Sequence, residues 1–547
     1  MKLTQLLSYL PESVAYAGPD PEISAITYDS RRVCPGTLFV AVWHPGYGAD
    51  GHAYAADAAQ KGAAALVVEK PVDAPAGTPV VTVERTPPAL GWLSAGFYGM
   101  PAAGLGLAGV TGTDGKTTTS TLTAAILEAA GFPTGMVTTV AAKSATDVRP
   151  NEEHTSTPEA VEIQALLAQT VAGGHEWRGP PGAPLRGLEA TPRRPAPRAV
   201  IEATSHALHQ DRLAGCEFDV AVVTRVTHEH LDYHGTREAY LAAKARLLEL
   251  LRPDPAHPKR VRVAKAAVLN ADDESCKYMA ARSPVPVIRF GIEQEAAVRA
   301  VEVREWAWCT ECRVVSPWGE AGLALPLPGS FNVYNALAAL AAACTLGAPL
   351  DVALACLATH PGVAGRMERV DAGQPFTVVV DYAHTPDSLA RVLAFLRPRT
   401  AGKLITVFGS AGQRDRAKRP WMGRIAAQRA DYFVLTDEDP RLEDRHQILA
   451  EIAAGAAAGG AVEGRQFERI PDRRRAIAAA FARAAAGDTV LLAGKGHERS
   501  ILGAAGGALR SFPWDERAVA RQELEQLGYE RPARGLRPEG SGAAAVC

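Results

Sequence analysis

The sequence predicts an α/β protein with parallel sheets, divided into three domains. Short apolar runs alternate with helical patterns over most of the 547 residues, and a glycine-rich turn links one apolar run to a helix. A strand, a turn and a helix in that order form the repeating unit of a parallel sheet. At roughly 150 residues per domain, the chain is long enough for three or four domains.

The composition excludes several classes of protein. Hydrophobic residues make up 47% of the chain and charged residues 22%, which excludes wholesale disorder and fibrous structure. The 58 Lys and Arg residues balance 60 Asp and Glu residues, so bulk charge gives no basis for binding nucleic acid. Eight thinly spread cysteines favour a reducing compartment, and no apolar stretch is long enough to span a bilayer. With a start that lacks a convincing secretory signal, these features predict a cytoplasmic protein without membrane insertion.

The domain boundaries follow from shifts in pattern. Near the start, strand-like runs at Thr37–Val42 and Ala65–Val68 flank a helical segment, Ala53–Ala65. Farther on, a stretch rich in Pro, Gly and Arg has no periodicity, as in a solvated insertion. We expect a first domain over 1–97, a central domain over 98–358 with an insertion at about 173–198, a third domain over 359–531 and a disordered tail over 532–547.

The strongest chemical signal is the glycine-rich loop between a predicted strand, Leu105–Val110, and a predicted helix, Ser120–Ala130. Backbone N–H groups of such a loop and of the next helix bind phosphate oxygens, while a lysine adds a cation and a threonine hydroxyl can ligate Mg²⁺. Val110 stands where the strict spacing has its first glycine, so a chance Gly-Lys-Thr turn is the alternative. The predicted phosphate site consists of Gly112, Thr113, Asp114, Gly115, Lys116, Thr117 and Thr118.

A carboxylate and a histidine follow two further strands of the central block. Glu202 comes after Ala199–Ile201, and His230 comes after Val220–Val223. Ligand contacts in parallel sheets collect at the carboxyl ends of strands, and Mg²⁺ prefers oxygen ligands. Glu202 is therefore the better candidate for a magnesium ligand and His230 the weaker. The three histidines 228, 230 and 234 leave a zinc site or plain surface histidines open as alternatives.

Two other features have a structural explanation from the residues alone. Lys244 lies in a helical pattern, and a helical lysine is ordinarily solvated. Cys309 and Cys312 have the spacing of half a zinc site, but no second pair accompanies them. The pattern of Val301–Val315 predicts a β-hairpin there instead.

Polar motifs also follow the strands predicted in the third domain. Asn332 and Asn335, just before it, open a helix-rich segment and suit either a purine edge or N-terminal capping. Strands are predicted at Thr377–Val380, Leu404–Phe408 and Val490–Ala493. The motifs around them contain Arg366, Asp381, Arg414, Asp439, Arg441, Gly494 and Glu498. Loop chemistry explains any one motif, but several in one domain indicate a ligand site.

In their order along the chain, these motifs resemble those of the Mur ligase family over nearly the whole length. The resemblance rests on Asp29-Ser-Arg31, the loop Gly112–Thr117, Ser156-Thr-Pro158, Glu202-Ala-Thr-Ser-His206, His230-Leu-Asp-Tyr-His-Gly235, Ala243-Lys244, Gly365-Arg-Met-Glu368, Asp381-Tyr-Ala-His-Thr-Pro-Asp387, Arg414-Asp-Arg-Ala-Lys-Arg-Pro420 and Gly494-Lys-Gly-His-Glu498.

The resemblance implies a uridine-nucleotide domain, a central ATPase and a C-terminal Rossmann-like domain. It implies an enzyme of peptidoglycan synthesis that uses ATP and Mg²⁺ to form an amide through an acyl phosphate. The implied small-molecule substrates are UDP-MurNAc-L-Ala-D-Glu, a diamino acid and ATP. We expect a monomer.

The resemblance also implies roles for single residues. Ser30 would contact the uridine nucleotide, and Lys244 would be carbamylated to become a magnesium ligand beside Thr117, Glu202 and His230. Lys116, Lys244 and His230 are the implied catalytic residues. The muramyl dipeptide would contact Ser156, Thr157, Ser205, Gln210 and Arg212. Besides the phosphate loop, ATP would contact Asn332, Asn335, Arg366 and Asp381. The added amino acid would contact Arg414, Glu438, Asp439, Pro440, Arg441, Gly494 and Glu498.

Some positions depart from the family pattern. Asp114 stands where an Asn is usual, Glu229 where an Asp is usual, and Arg225 where an Asn is usual. The usual Asp-Asn-Pro-Arg signature for diaminopimelate is Glu438-Asp-Pro-Arg441 here. The two arginines 414 and 441 favour meso-diaminopimelate, whose distal carboxylate they could bind. The carboxylate of Asp439 would instead suit the ammonium of lysine or ornithine.

Two other functions compete with this prediction. A Mur-like ligase could act on another carboxylate, such as a folate-type or cell-wall-modifying substrate, but Asp29-Ser-Arg31 and the N-terminal module argue against a folate-type ligase. A catalytically silent nucleotide-binding scaffold is the other alternative. The intact Gly115-Lys-Thr117 sequence, Glu202 and Lys244 argue against it.

Overall fold

The computed structural model describes residues 1–44, 50–151, 156–174, 195–227, 229–252, 257 and 259–529. Within these residues the chain divides into two compact units, Met1–His360 and the residues from Pro361 onward. Most of the predicted insertion and the whole predicted tail lie outside the described residues. Gly173 still belongs to a helix and Arg198 to a strand, so both predicted ends of the insertion lie in regular structure. The three sequence-based domain boundaries stay predictions.

The first unit begins with a small parallel sheet of four strands in the order β1-β2-β3-β4. Its central strands are buried along their whole length, as the apolar runs predict. The elements are α1 (Leu3–Leu7), β1 (Ala25–Thr27), β2 (Thr37–Val40), α2 (Ala55–Gln60), β3 (Ala65–Val68), β4 (Val80–Thr82) and α3 (Thr86–Phe97).

The same unit contains a larger sheet of eleven strands among the described residues. Its strands are β5 (Gly106–Thr111), β6 (Thr134–Val137), β7 (Ala141–Lys143), β8 (Val148–Pro150), β9 (Arg198–Glu202), β10 (Val220–Val223), β11 (Ala266–Asn270), β12 (Val287–Gly291), β13 (Val298–Glu305), β14 (Thr310–Ser316) and β15 (Gly319–Leu325). Its helices are α4 (Lys116–Ala129), α5 (Ala160–Gly173), α6 (Ser205–His209), α7 (Leu231–His234), α8 (Arg237–Glu249), α9 (Cys276–Ala280), α10 (Ser330–Thr345) and α11 (Leu350–Thr359).

The strand order places β5 between β10 and β9, with parallel pairing on both sides. The chain leaves β5 through the glycine-rich loop, and β9 and β10 end beside it. Ligands in such sheets bind outside the carboxyl ends of the strands where the order reverses. The antiparallel β13–β14 pair confirms the predicted hairpin around Cys312.

Helix α10 brings a distant part of the chain to this loop. Its residues from Ala336 to Ala343 are all at most 1% exposed, and it packs against α4. Small alanine side chains allow two helices to approach closely. The two asparagines at the start of α10 consequently lie beside the first turn of α4.

The second unit contains a six-stranded sheet in the order β16-β17-β21-β18-β19-β20, parallel except for the edge strand β16. Its strands are β16 (Glu368–Val370), β17 (Thr377–Asp381), β18 (Leu404–Phe408), β19 (Tyr432–Leu435), β20 (Phe467–Arg469) and β21 (Thr489–Ala493), followed by the hairpin β22 (Ser500–Ala505) and β23 (Ala508–Pro513). Its helices are α12 (Pro386–Leu396), α13 (Lys418–Arg429), α14 (Arg445–Ala458), α15 (Arg473–Arg483) and α16 (Glu516–Gln526).

The fold class is confirmed: the described residues form three α/β sheets with parallel central strands, two in the first unit and one in the second. The predicted strands at Val220–Val223 and Leu404–Phe408 have the same bounds in the structure. In the part of the chain that the structure describes, no helix combines the length and the apolar character needed to cross a bilayer.

Candidate functional site

The glycine-rich loop forms a tight turn between β5 and α4. Gly112 and Gly115 have φ values of 150° and 81°, a region that glycine adopts without strain. A side chain at Gly112 would overlap the Thr224 hydroxyl, so the loop also needs glycine for close packing. Lys116 Nζ donates to the carbonyl oxygens of Gly112 and Thr113 at 3.0 and 2.9 Å. Asp114 and Thr118 are half-buried within the same turn.

Glu202 lies beside the loop, as the strand order predicts. The Thr117 hydroxyl donates to Glu202 Oε2 at 2.9 Å, and both residues are buried. Thr139, which the sequence analysis did not identify, donates to Glu202 from its hydroxyl and its backbone N–H, at 3.0 and 3.1 Å. The structure therefore brings a carboxylate and hydroxyl groups together at the start of α4, the oxygen ligands that Mg²⁺ prefers.

The predicted dipeptide-binding residues connect to Glu202 through hydrogen bonds. The hydroxyl oxygens of Thr139 and Ser156 are 2.7 Å apart, and the Thr157 hydroxyl donates to the Glu202 carbonyl at 2.7 Å. Arg212 donates to the Thr157 carbonyl at 3.0 Å. These residues form one polar surface next to the phosphate loop.

Two more predicted dipeptide ligands have buried atoms without a protein partner. Gln210 donates to the Tyr233 hydroxyl at 2.9 Å, but its Oε1 atom has no hydrogen-bond partner among the described residues. The Ser205 hydroxyl, at the start of α6, is also buried without a described partner. Buried polar atoms normally have partners, so free atoms at this surface suit a polar ligand.

Lys244 is only 1% exposed, so the expectation from its helical pattern alone was wrong. The inner face of α8 points to the loop, and Lys244 Nζ donates to the Gly112 carbonyl at 2.6 Å. Its ammonium group also lies 4.4 Å from the ring centre of Tyr240. Burial and the nearby charge of Lys116 lower the pKa of Lys244 well below its usual value.

The two asparagines of α10 are next to the loop. A side chain at Gly115 would overlap Asn335 Oδ1, and Asn335 Nδ2 donates to Asn332 Oδ1 at 3.3 Å. Asn332 Nδ2 donates to the Pro328 carbonyl at 2.9 Å. The close approach of Asn335 to the phosphate loop fits a nucleotide site better than simple capping of α10.

His230 lies in a cluster of aromatic rings. Its ring centre is 4.7 Å from that of His206 and its Nε2 atom is 3.7 Å from a Glu229 oxygen. Position 228, part of the zinc alternative, lies outside the described residues. Among the residues that are described, no group of three or more His, Cys, Asp or Glu side chains could hold a metal ion. The zinc alternative therefore has no support here.

Ser30, the predicted uridine contact, begins a short 3₁₀ turn in the small sheet of the first unit. Asp29 caps this turn by accepting from the Arg31 N–H at 2.9 Å, and Lys61 donates to the Ser30 carbonyl at 3.1 Å. A cavity of about 310 Å³ lies near this turn, and Thr27 and Arg32, on either side of Ser30, line it.

In the second unit, Asp381 ends β17 and is buried. Its carboxylate accepts from the N–H groups of Met367 and Ala383 at 2.8 and 2.9 Å. Burial raises the pKa of Asp381 in spite of these bonds and of nearby Arg366. The Arg366 guanidinium lies 4.7 Å from the ring centre of Tyr382. The two predicted ATP contacts of this unit are thus close together.

The predicted amino-acid-binding residues lie on three loops at the same edge of this sheet. Gly412 N–H donates to the Asp439 carbonyl at 2.8 Å, which joins the loop containing Arg414 to the loop of Glu438, Asp439, Pro440 and Arg441. A side chain at Gly494 would come within 3.5 Å of Glu438, so the third loop is also adjacent. Glu438 is buried, and its Oε2 atom has no described partner. Arg414 is exposed.

Lys495 is the main feature of this cluster that the sequence analysis missed. It is fully buried, donates to Asp439 Oδ1 at 2.9 Å and pairs with Glu498. Burial opposes its charge, but Glu498 and Asp439 outweigh burial and raise the pKa of Lys495. Tyr382 donates to the other Glu498 oxygen at 3.2 Å. The sequence could have indicated this lysine, because the motif Gly494-Lys-Gly-His-Glu498 places it three residues before Glu498, a residue predicted to bind the amino acid.

A phosphate loop at the switch point of one sheet and a charged cluster at the strand ends of another define a nucleotide-dependent α/β enzyme. Comparison with known families agrees. The Mur ligase family catalytic domain matches residues 22–98, the Mur ligase middle domain matches 110–178 and 185–343, and the Mur ligase glutamate ligase domain matches 365–496.

Individual relatives match nearly the whole chain. A UDP-N-acetylmuramyl-tripeptide synthetase from Roseiflexus sp. (strain RS-1) is 48% identical over 97% of this chain and 100% of its own length. A UDP-N-acetylmuramoyl-L-alanyl-D-glutamate--2,6-diaminopimelate ligase from Bacillus licheniformis is 41% identical over 96% of this chain and 100% of its own length. A solved structure of a ligase with that name has a TM-score of 0.62 at 29% identity, covering 96% of this chain and all of that one.

This chain belongs to the Mur ligase family. It is an ATP-dependent ligase that joins an acid to an amino acid, an enzyme of peptidoglycan synthesis.

Proposed function

We propose that this enzyme adds meso-2,6-diaminopimelate to UDP-N-acetylmuramoyl-L-alanyl-D-glutamate, with conversion of ATP to ADP and phosphate. The observation that carries the proposal is the joint presence of two sites, the Gly112–Thr117 loop with Glu202 and the cluster around Lys495. Relatives whose names state this reaction align over nearly the full chain. The first site suits a nucleotide and a phosphorylated acid, and the second suits a charged amino acid.

The chemistry explains why both sites are needed. A carboxylate is a poor electrophile, so its oxygen first attacks the γ-phosphorus of ATP, which forms an acyl phosphate and releases ADP. The amine of the amino acid then attacks the acyl carbon, loses a proton and displaces phosphate. The protein contributes chiefly by positioning the reactants and by stabilising negative charge on oxygens.

The residues beside the loop fit a magnesium ion. Thr117 and Glu202 supply hard oxygen donors, and we assign Thr117, Glu202, His230 and Lys244 as the groups that would hold it. When bound, Mg²⁺ neutralises charge on the phosphate oxygens. Lys116 supplies a further cation at the same place, with its ammonium group on the loop carbonyls of Gly112 and Thr113.

The environment of Lys244 supports its assignment as a carbamylated residue. Its lowered pKa increases the fraction of neutral amine, which is the form that reacts with CO₂. A carbamate would place a negative group beside the positive charge of Lys116. It would also turn a buried amine into an oxygen ligand for the metal.

The choice of diaminopimelate rests on the pairing of Asp439. Its carboxylate accepts from Lys495 and from the Leu502 N–H at 2.8 Å, so the chain itself already satisfies and neutralises it. Asp439 is thus less suited to attract the ammonium of lysine or ornithine than its sequence position suggests. With that charge neutralised, Arg441 and Arg414 are the groups of this cluster that suit a distal carboxylate.

The test is phosphate release by the full-length enzyme with ATP, Mg²⁺ and UDP-N-acetylmuramoyl-L-alanyl-D-glutamate. Each reaction contains meso-diaminopimelate, L-lysine or L-ornithine, and the mass of the nucleotide-linked product is measured. We expect the highest kcat/KM with meso-diaminopimelate. A preference for lysine or ornithine would overturn the choice of amino acid, and no release with any of them would overturn the ligase assignment.

A matched pair of arginine variants tests the role of the distal carboxylate. Arg441→Gln should raise the KM for meso-diaminopimelate by about tenfold, because a charge-assisted pair is lost. Arg424→Gln, which changes an exposed arginine on α13, should leave that KM unchanged. Equal values for both variants would contradict the assignment of Arg441.

A further inference from the structure

A buried arginine lies behind the amino-acid cluster and touches none of the residues assigned to it so far. Arg473, the first residue of α15, has a side chain that is 1% exposed. Its Nε and Nη2 atoms donate to both oxygens of Glu516, at distances of 2.6 to 3.1 Å. Glu516 is fully buried and also accepts from the Trp514 indole N–H at 2.6 Å. The carboxylate therefore fixes the plane of the guanidinium group.

The other donors of Arg473 bind two backbone carbonyls. Nη1 donates to the Asp437 carbonyl at 3.0 Å, and Nη2 donates to the Ala493 carbonyl at 2.8 Å. Asp437 directly precedes Glu438, and Ala493 directly precedes Gly494. The Asp437 carbonyl lies in the loop after β19, the Ala493 carbonyl ends β21 just before the next loop, and β18 lies between these two strands in the sheet. Together with the bond from Lys495 to Asp439, this side chain connects two loops whose strands are not paired directly.

Local stability alone does not explain an arginine at this position. A positive charge in the first turn of a helix opposes the helix dipole, and burial of an ion pair gains little over apolar packing. The planar guanidinium, however, can bind a carboxylate on one side and two carbonyls on the others, which a lysine cannot do from one nitrogen. The bonds to the two loops are what distinguish this ion pair from an ordinary one.

We propose that Arg473, oriented by Glu516, is a positioning residue that sets the spacing of the 437–441 and 494–498 loops for the incoming amino acid. This inference rests on the proposed function of those loops as the amino-acid site. Arg473 acts through backbone carbonyls, so it should control how well the amino acid binds without controlling how ATP binds. Its guanidinium holds the two loops at one distance before any substrate arrives.

The test compares two ion pairs on the same helices. The double variant Arg473→Met and Glu516→Gln removes the connection without leaving a buried charge. The control is Arg474→Met with Glu523→Gln, because Arg474 donates to Glu523 at 2.7 Å between the same two helices but reaches neither loop. KM and kcat are measured for the amino acid, ATP and the nucleotide-linked acid, together with the melting temperature.

We expect the Arg473 pair variant to raise the KM for the amino acid by about tenfold, with the KM for ATP within about twofold of the original value. The control pair should leave both constants unchanged. An equal rise for both pairs, or an equal rise in KM for all three substrates, would overturn the proposal. If the double variant fails to fold, Arg473→Lys keeps the charge but cannot reach both carbonyls, and it should show the same selective rise.

Hydrogen exchange separates this inference from the proposed function. In the protein without substrates, the Arg473 variants should show faster exchange of the amides in 437–444 and 494–502, and the control pair should not. Unchanged exchange would overturn the inference even if ligation is confirmed. Absence of amino-acid-dependent phosphate release in the unaltered enzyme would instead overturn the function, with the exchange result still deciding whether Arg473 holds the loops.

Discussion

Lys244 of the first unit and Lys495 of the second unit are both buried, but the charges around them differ. Lys244 is 1% exposed and bonds to a backbone carbonyl, with another lysine nearby, so its pKa falls. Lys495 is fully buried between Asp439 and Glu498, so its pKa rises. Burial acts to lower the pKa of both lysines. The carboxylates that contact Lys495 outweigh this effect and raise its pKa.

The difference fits what we propose that each site binds. At the phosphate loop the ammonium group of Lys116 donates to two backbone carbonyls, and no salt bridge of Lys116 is found among the described residues. Such a site is completed by an anionic ligand. The amino-acid cluster neutralises its lysine within the chain, so Lys495 contributes to folding, and recognition is left to the residues around it.

The largest effect should come from the unpaired cation of the first unit. Lys116→Ala should lower kcat for phosphate release by about 10³-fold, because a preorganised cation at the transferring phosphoryl group is lost. The melting temperature should change little. Lys143→Ala, at a lysine of the same sheet that pairs with Glu128, is the control and should retain activity. A Lys116 variant with normal turnover would remove the basis for the first site.

Lys495→Met should instead act on stability. It leaves the buried carboxylate of Asp439 and the half-buried carboxylate of Glu498 without their cation, which should cost about 3 kcal/mol in the second unit. Hydrogen exchange of the β21 amides in the full chain measures this loss. Adding Asp439→Asn to the variant should restore part of the stability, since one of the two unpaired charges is removed. A further loss in the double variant would contradict the pairing.

His384 gives a pH test within the second unit. Burial and nearby Lys418 lower its pKa from the usual 6.5 to about 4. The unfolded chain therefore binds the extra proton first, so the stability contribution is complete above pH 6.5 and is lost as the pH falls toward 4. Between pH 6.5 and 5 the loss should be about 2 kcal/mol.

The check is urea unfolding of the full chain at both pH values. His384→Gln should flatten the dependence, and His446→Gln, at an exposed histidine on α14, should not. Equal slopes for the unaltered chain and the His384 variant would show that this ring titrates normally in the folded protein.

The smallest expected effect is a gain in stability, opposite to the loss expected for Lys495→Met. Lys244→Met removes a buried amine that has no carboxylate partner, so the first unit should gain about 1 kcal/mol of stability at pH 7 while ligation is lost. Because the folded pKa is lowered, the unaltered chain should become more stable as the pH rises toward 10.5, and the variant should lack this rise. A destabilised Lys244 variant would remove the contrast with Lys495.

Local patterns predicted the elements and the glycine-rich turn well. The run Val220–Val223 and the Gly-Lys-Thr turn depend on neighbouring residues, and each has the predicted structure. Lys244 shows where this approach failed, since its helical pattern predicted a solvated side chain. The inner face of α8 packs against the loop because of how the whole sheet is arranged. The sequence of the helix alone does not contain that information.

The sequence by itself determined the α/β class, the phosphate loop and the edges of the sheets where polar residues would collect. These properties follow from periodicity and from the conformations open to glycine, and both are local. The tertiary structure alone decided that Asn335 reaches Gly115, that Lys495 neutralises Asp439 and that Arg473 joins two loops. Charge state and positioning depend on which distant groups share a buried volume, and only packing brings those groups together.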